Sequence, residues 1–158
     1  MATFSSSRSD TADVPHPVEA VWGGLVDPDA IARMTPLVSR IMADGDQWTW
    51  CLQGVPLPGR ALDLSMVETV TFTPQTRIDF THGPLERHLQ AGAQGHYGLE
   101  PIEVGTRLTI DLTISARLPI PGVARPAVTT AMAQVLRQMG IRFSASMLRE
   151  LDGRKKTG

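Results

Sequence analysis

The sequence predicts one α+β domain in which a curved antiparallel sheet of about seven strands wraps around a long C-terminal helix. Two observations support this class. Roughly eighty central residues alternate apolar and polar side chains with the period of two that strands require, and the last segment repeats its apolar residues every three or four positions, as a helix does. Strands grouped ahead of one late helix favour α+β over a parallel α/β fold.

The chain begins with a polar stretch, Thr3 to Val14, which we predict to be the first strand from its position more than from its pattern. Two short helices should follow. Apolar residues at helical spacing define the first helix, and Asp27 with Pro28 provides an N-cap and first turn for the second. We expect the Gly23-Gly24 pair to permit close backbone contact with the C-terminal helix.

The strands come next. After the turn at Asp44-Gly45-Asp46, Trp48 and Trp50 fall on one face of a strand, and the segment that starts at Leu62 continues the alternation. The clearest strand is RLTIDLTIS, whose apolar and polar residues alternate without a break. One buried face and one hydrated face indicate an antiparallel sheet.

The final element is predicted to be a helix from Ala127 to Leu151, with apolar residues on one face. At about 1.5 Å per residue it would be roughly 37 Å long, which is enough to cross the sheet. One helix does not fill the concave side of so wide a sheet. The sequence therefore predicts a cavity between the sheet and this helix.

Composition excludes several classes of function. The 158 residues suffice for one domain, and the formal net charge of −1 provides no basic field for nucleic acid. A single cysteine, Cys51, excludes an internal disulfide and a multi-cysteine metal site, and we expect it to be a small buried apolar residue. No apolar run is long enough for a transmembrane segment, and no signal peptide is evident, so we predict a cytoplasmic protein whose last few residues form a flexible tail.

Three segments carry a family resemblance: PHPVEAVWGGLVDPDAIARMTP, VTFTPQTRIDF and LEPIEVGTRLTIDL. Together they resemble the START-like (SRPBCC) superfamily, which includes polyketide cyclases, plant lipid-binding allergens and lipid-transfer domains. The resemblance implies a helix-grip fold over nearly the whole chain. The spacing is most similar to the carbon monoxide dehydrogenase G branch of that superfamily, which implies hydrophobic ligands and assembly or electron transfer for a redox enzyme.

The leading functional hypothesis is a non-catalytic module that binds a hydrophobic small molecule, such as a lipid, an isoprenoid quinone or a polyketide-like compound, without a cofactor or metal. Aromatic side chains and adaptable methionines on the predicted concave face would form the wall of an apolar site. The predicted ligand-binding residues are Trp48, Trp50, Met66, Phe80, Ile110, Met132, Leu136 and Met139.

Two alternatives remain open. A cyclase or dehydratase-type enzyme would use Glu68, which falls in register with Met66, although a strand end that turns Glu68 outward is the favoured interpretation. An accessory subunit of a redox enzyme, or a homodimer, would need an exposed apolar patch. His82, Glu86 and His88 invite a metal-site interpretation, but their Gly-Pro context favours a solvated hairpin, and His96 could face water or ligand.

Overall fold

The computed structural model describes residues 2–85 and 89–157, with side chains described to Arg154. Its elements in chain order are β1 (Ala2–Val14), α1 (Val18–Leu25), α2 (Pro28–Met34), β2 (Val38–Asp44), β3 (Gln47–Leu57), β4 (Arg60–Thr73), β5 (Arg77–Thr81), β6 (Gln90–Ile102), β7 (Gly105–Leu118) and α3 (Arg125–Thr157). Within the described residues, seven strands form one sheet in the order β1-β7-β6-β5-β4-β3-β2, with antiparallel neighbours. The predicted helix-grip α+β fold is confirmed.

The polar first strand is held by its pairing with β7 along its whole length. The register runs from Ala2 opposite Leu118 to Val14 opposite Thr106. On the outer face, the Ser5 hydroxyl lies 2.8 Å from that of Ser115, so cross-strand hydrogen bonds join side chains that carry no apolar signal. A complete backbone ladder with such bonds explains why a strand forms here despite its composition.

The two short helices form a corner at one end of α3, and Asp27 caps the second helix as predicted. Its Oδ1 accepts hydrogen bonds from the backbone N–H groups of Asp29 at 3.1 Å and Ala30 at 3.3 Å. The prediction for the glycines is wrong in one respect. A Cβ at Gly24 would lie 3.8 Å from Cδ2 of Leu151, which is ordinary side-chain contact and not close backbone packing.

Helix α3 is longer than its apolar periodicity indicated, because it begins at Arg125 and continues to Thr157. Polar contacts accompany the added turns. The Arg154 guanidinium lies 3.4 Å from the carboxylate of Glu150 and 3.5 Å from that of Asp27. These contacts connect the end of α3 to the cap of α2. Because they are polar, the apolar pattern of the sequence does not predict them.

The hydrophobic core lies between the concave face of the sheet and α3. Its most deeply buried members are at the corner and along the sheet; they include Phe4, Val21, Leu25, Ile31, Met34, Ile78, Leu118, Val128 and Leu151. No helix within the described residues is both long enough and apolar enough to cross a membrane.

Candidate functional site

A cavity of about 170 Å³ lies between the middle of α3 and the concave face of the sheet. Its wall is almost entirely apolar. The apolar side chains around it include Trp50, Leu52, Val55, Leu57, Leu64, Met66, Phe80, Ile110, Leu112, Ile114, Met132, Val135, Leu136, Met139 and Phe143. Several of them, among them Ile110 and Leu112, are only partly buried although they face inward, because the space in front of them is empty.

The structure brings seven of the eight predicted ligand-binding residues together around this cavity: Trp50, Met66, Phe80, Ile110, Met132, Leu136 and Met139. Trp48 lies elsewhere. It lines a second space of about 10 Å³, the size of one water molecule, beside Leu25 and Ile31 of the short helices. Trp48 and Trp50 share a face of β3, but Trp48 is nearer the corner formed by α1 and α2.

The size and the wall of the cavity limit what it can hold. An apolar protein cavity of about 150 Å³ binds a benzene ring, so the present space accommodates roughly one ring. Three wall residues, Met66, Met132 and Met139, have flexible unbranched side chains that can move to admit a larger group. A larger ligand would also extend through the open side of the cavity.

Glu68 points into the cavity, which contradicts the favoured expectation that it turns outward. It is only 5% exposed, and its Oε1 accepts a hydrogen bond of 2.8 Å from the indole Nε1 of Trp50. The alternation of β4 continues unbroken past this position, where Glu68 pairs with Trp48 on β3. The strand therefore does not end or bulge where the outward interpretation required it to.

The chemistry of Glu68 is altered by this environment. Burial raises the pKa of Glu68 to about 7, although the hydrogen bond from Trp50 acts in the opposite direction. Near neutral pH the group is therefore present in both its protonated and its ionised form. A carboxyl group with such a pKa can donate or accept a proton at a bound molecule.

Tyr97 is a polar residue of the same cavity that was not among the residues predicted from the sequence. Burial raises the pKa of Tyr97 well above its usual value, and the negative charge of Glu68 raises it further, so the phenol keeps its proton. Its ring packs against Phe80 with 5.2 Å between the centroids. The alternation of Ala91, Ala93 and Tyr97 on β6 was the signal that could have placed it inside.

A second polar group lies at the β1 side of the cavity, where Arg8 and Asp10 belong to its lining. Nε of Arg8 donates to Oδ2 of Asp10 at 2.5 Å, and Nη2 donates to Oδ1 at 3.2 Å. Gly140 of α3 faces the pair, since a Cβ there would lie 3.5 Å from Nε of Arg8. Neither residue was predicted, because the polar pattern of this strand does not indicate an inner face.

The remaining titratable candidates do not converge on the cavity. Nδ1 of His82 lies 2.7 Å from its neighbour's carbonyl, and its ring covers Gly92, which faces away from the cavity. Cys51 is only half-buried and lies on the face opposite Trp50. No group of three or more His, Cys, Asp or Glu side chains positioned to hold a metal occurs in 2–85 and 89–154, and Glu86 and His88 lie outside the described residues.

Comparison with solved structures agrees with the observed fold. The di-domain ARO/CYC StfQ from the steffimycin biosynthetic pathway is 17% identical with a TM-score of 0.69, and the match covers 97% of this chain but about half, 52%, of that protein. A conserved protein from Geobacillus kaustophilus is 18% identical with a TM-score of 0.68 and 96% coverage of both chains. The Zhui aromatase/cyclase from Streptomyces sp. R1128 is 16% identical, with a TM-score of 0.53 and coverage of 98% and 94%.

Sequence comparison gives the family. A search of curated proteins finds no significant match. The family model described as "Polyketide cyclase / dehydrase and lipid transport" matches residues 1–150, which confirms the START-like resemblance, whereas the assignment to the carbon monoxide dehydrogenase G branch stays a prediction. The chain therefore belongs to the polyketide cyclase / dehydrase and lipid transport family.

Proposed function

We propose that this domain binds a mainly apolar small molecule in the cavity between α3 and the sheet. The observation that carries the proposal is the cavity itself: about 170 Å³ of space with an almost wholly apolar wall inside an otherwise packed core. Voids of this size cost stability, because the side chains around them lose contacts that a filled core would provide. A ligand that occupies the space restores those contacts.

Two polar groups of the cavity favour one orientation of a bound ligand. Glu68 and Tyr97 are hydrogen-bonding groups on the buried side of the cavity, and both are mostly protonated below neutral pH. A ligand with an oxygen atom, such as a ketone, phenol or quinone, would accept or donate a hydrogen bond there. This supports a lipid, quinone or polyketide-like ligand over a pure hydrocarbon.

The test is a substitution on α3 that places a larger side chain in the cavity. Val135 lies in the cavity wall, so Val135→Phe should occupy space that a ligand needs, whereas Ile141→Phe on the same helix alters a side chain that is 53% exposed. We expect 2-naphthol to bind the wild type and Ile141→Phe equally in isothermal titration calorimetry. Val135→Phe should weaken that binding at least tenfold.

Melting temperature separates loss of the site from loss of the fold. Val135→Phe should melt no lower than the wild type, because the added ring enters existing space. The proposal fails if neither 2-naphthol, menadione nor decanoic acid binds the wild type, or if Val135→Phe binds 2-naphthol as the wild type does.

A second candidate function, proton transfer of the cyclase or dehydratase type, is favoured by the inward position of Glu68. A buried carboxyl group beside a protonated phenol is the arrangement that removes a proton next to a ketone while the phenol stabilises the oxygen. We propose that ionised Glu68 would be the base and Tyr97 the hydrogen-bond donor. This candidate requires the binding function and adds chemistry to it.

Deuterium exchange tests this candidate without knowledge of a natural substrate. 2-Tetralone in D2O should acquire deuterium beside its carbonyl faster with the wild-type protein than with Glu68→Gln, as followed by NMR. The rate should rise with pH through about 7, since the ionised form of Glu68 is the base. Equal rates for the two proteins would exclude Glu68 as a base and leave the binding function intact.

A further inference from the structure

The inner face of β1 is polar where it borders the cavity. Phe4 and Val14 at the two ends of this face are buried, but Arg8 and Asp10 between them line the cavity. Their side chains are 32% and 46% exposed, so the pair lies where the cavity meets solvent. A charged pair offers a ligand no apolar contact, so its role at this position differs from that of the surrounding wall.

We propose that Arg8 binds a carboxylate at one end of the ligand whose apolar part occupies the cavity. The inference rests on the proposed binding function and adds the chemical class: an amphipathic acid, such as a fatty acid or an aromatic carboxylic acid. In the unliganded protein, Asp10 occupies the carboxylate-binding edge of Arg8, and the ligand displaces it.

The geometry of the existing pair supports this role. Asp10 contacts Arg8 through both carboxylate oxygens and through two different guanidinium nitrogens, which is the fork geometry that recognises a carboxylate. The guanidinium has five N–H donors, so the pair uses only part of its capacity. Asp10 is half exposed and can turn into water, where its charge is solvated.

The opposite wall presents no side chain to the pair at Gly140. Gly140 of α3 faces the pair, and even a methyl group there would approach Nε of Arg8 to 3.5 Å. A longer side chain at this position would cover the guanidinium. The lack of a side chain at Gly140 leaves that side of the guanidinium uncovered, and the Arg8 side chain is 32% exposed.

The distribution of charge across the sheet favours the same orientation. Arg8 is on β1 and Glu68 is on β4, and three strands, β7, β6 and β5, separate them. A carboxylate bound at Arg8 is therefore held on a different strand from the negative charge that Glu68 carries when ionised, and in the proposed orientation the apolar body of the ligand lies between them.

A matched pair of ligands tests the inference. 2-Naphthoate and 2-naphthamide share the same rings and differ in the charge of the end group. Calorimetry at pH 7.5 should show that Arg8→Gln weakens naphthoate binding about tenfold and changes naphthamide binding less than twofold. Asp10→Asn should strengthen naphthoate binding severalfold, because it removes the competing carboxylate and its charge.

Control variants separate the possible failures. Arg8→Lys keeps the positive charge without the fork and should bind naphthoate with intermediate affinity. If both probes bind and neither Arg8→Gln nor Asp10→Asn alters naphthoate binding, the inference is overturned and the binding function stands. If neither probe binds although 2-naphthol binds the wild type, the inference is overturned and the binding function stands; if 2-naphthol, menadione and decanoic acid also fail to bind, both fail. Val135→Phe should weaken binding of both probes at least tenfold, whereas Arg8→Gln weakens naphthoate binding alone, and this difference distinguishes the cavity from its mouth.

Discussion

Two regions along α3 are built from similar residues and differ in how well they are filled. At the corner, Leu151 of α3 packs against Leu25 and Met34 of the short helices, and all three are at most 2% exposed. In the middle of the helix, Leu136 faces the cavity instead. The corner has two helices to cover the end of the sheet, whereas the middle has α3 alone.

The contrast shows that an apolar face guarantees burial but not close packing. Close packing requires elements on enough sides to interdigitate, as α1, α2 and α3 do at the corner. Where one helix spans a concave sheet, the same leucines and methionines leave space. The corner therefore serves stability, and the middle is available for binding.

The largest expected effect comes from the same substitution in the two regions. Leu151→Ala should lower the free energy of unfolding by about 3 kcal/mol, because it opens a void in a packed core. Leu136→Ala should lower it by less than about 1 kcal/mol, because this side chain already borders empty space. Urea denaturation measures both values. Equal losses would mean that the cavity is closed in solution and that the contrast is not real.

A somewhat smaller effect concerns pH and the deep side of the cavity. The pKa of Glu68 is raised from 4.5 to about 7, so the folded state favours the protonated form. Its stabilising contribution is complete below about pH 4.5 and is lost as pH rises through about 7, and the full loss is about 3 kcal/mol at most.

Glu68→Gln should therefore remove a decline in stability that the wild type shows between pH 5 and pH 8 in urea denaturation. Glu103→Gln, an exposed carboxylate, is the matched control and should retain the decline. If the difference in free energy of unfolding between the wild type and Glu68→Gln does not change with pH, then Glu68 is solvated in the folded protein.

The smallest expected effect is the loss of the cap of α2, which tests whether the corner serves stability alone. Asp27→Ala removes the cap of α2 and its contact with Arg154, and should lower the free energy of unfolding by about 1 kcal/mol. Asp29 lies in the first turn but its side chain makes no capping hydrogen bond, so Asp29→Ala should lower the free energy of unfolding by only a few tenths of a kcal/mol. Neither change should alter binding of 2-naphthol, because neither residue lines the cavity. A loss of affinity for 2-naphthol in either variant would contradict this expectation and show that the corner and the cavity are energetically coupled.

Periodicity predicted the parts of this molecule that depend on which face a residue occupies. Alternation placed Trp50, Met66 and Phe80 on the concave face, and the Asp27-Pro28 signal predicted the start of the second helix. Alternation also put Glu68 in register with Met66, but local sequence does not reveal whether a strand continues straight, and the outward interpretation was preferred.

Features that depend on partners distant in sequence were not predictable. The inner face of β1 is defined by β7 and α3, about one hundred residues later in the chain. The neighbours of Arg8 and Asp10 on that face of the strand are Ser6 and Ala12, so the local sequence provides little apolar signal. The position of Trp48 depends on strand twist and on the short helices. Both are tertiary effects that a period of two does not encode.

The order of the strands has a consequence for how the site forms. From β2 to β7 each strand pairs with its successor in the chain, so this part of the sheet can grow through local hairpins. Among the described residues, strand β1 pairs only with β7, and paired residues such as Ala2 and Leu118 are separated by more than one hundred residues of chain. Such distant contacts form late, because they require the largest loss of chain entropy. The deep wall around Glu68 can therefore be in place before Arg8 arrives, and the mouth of the cavity is the last part of the site to assemble.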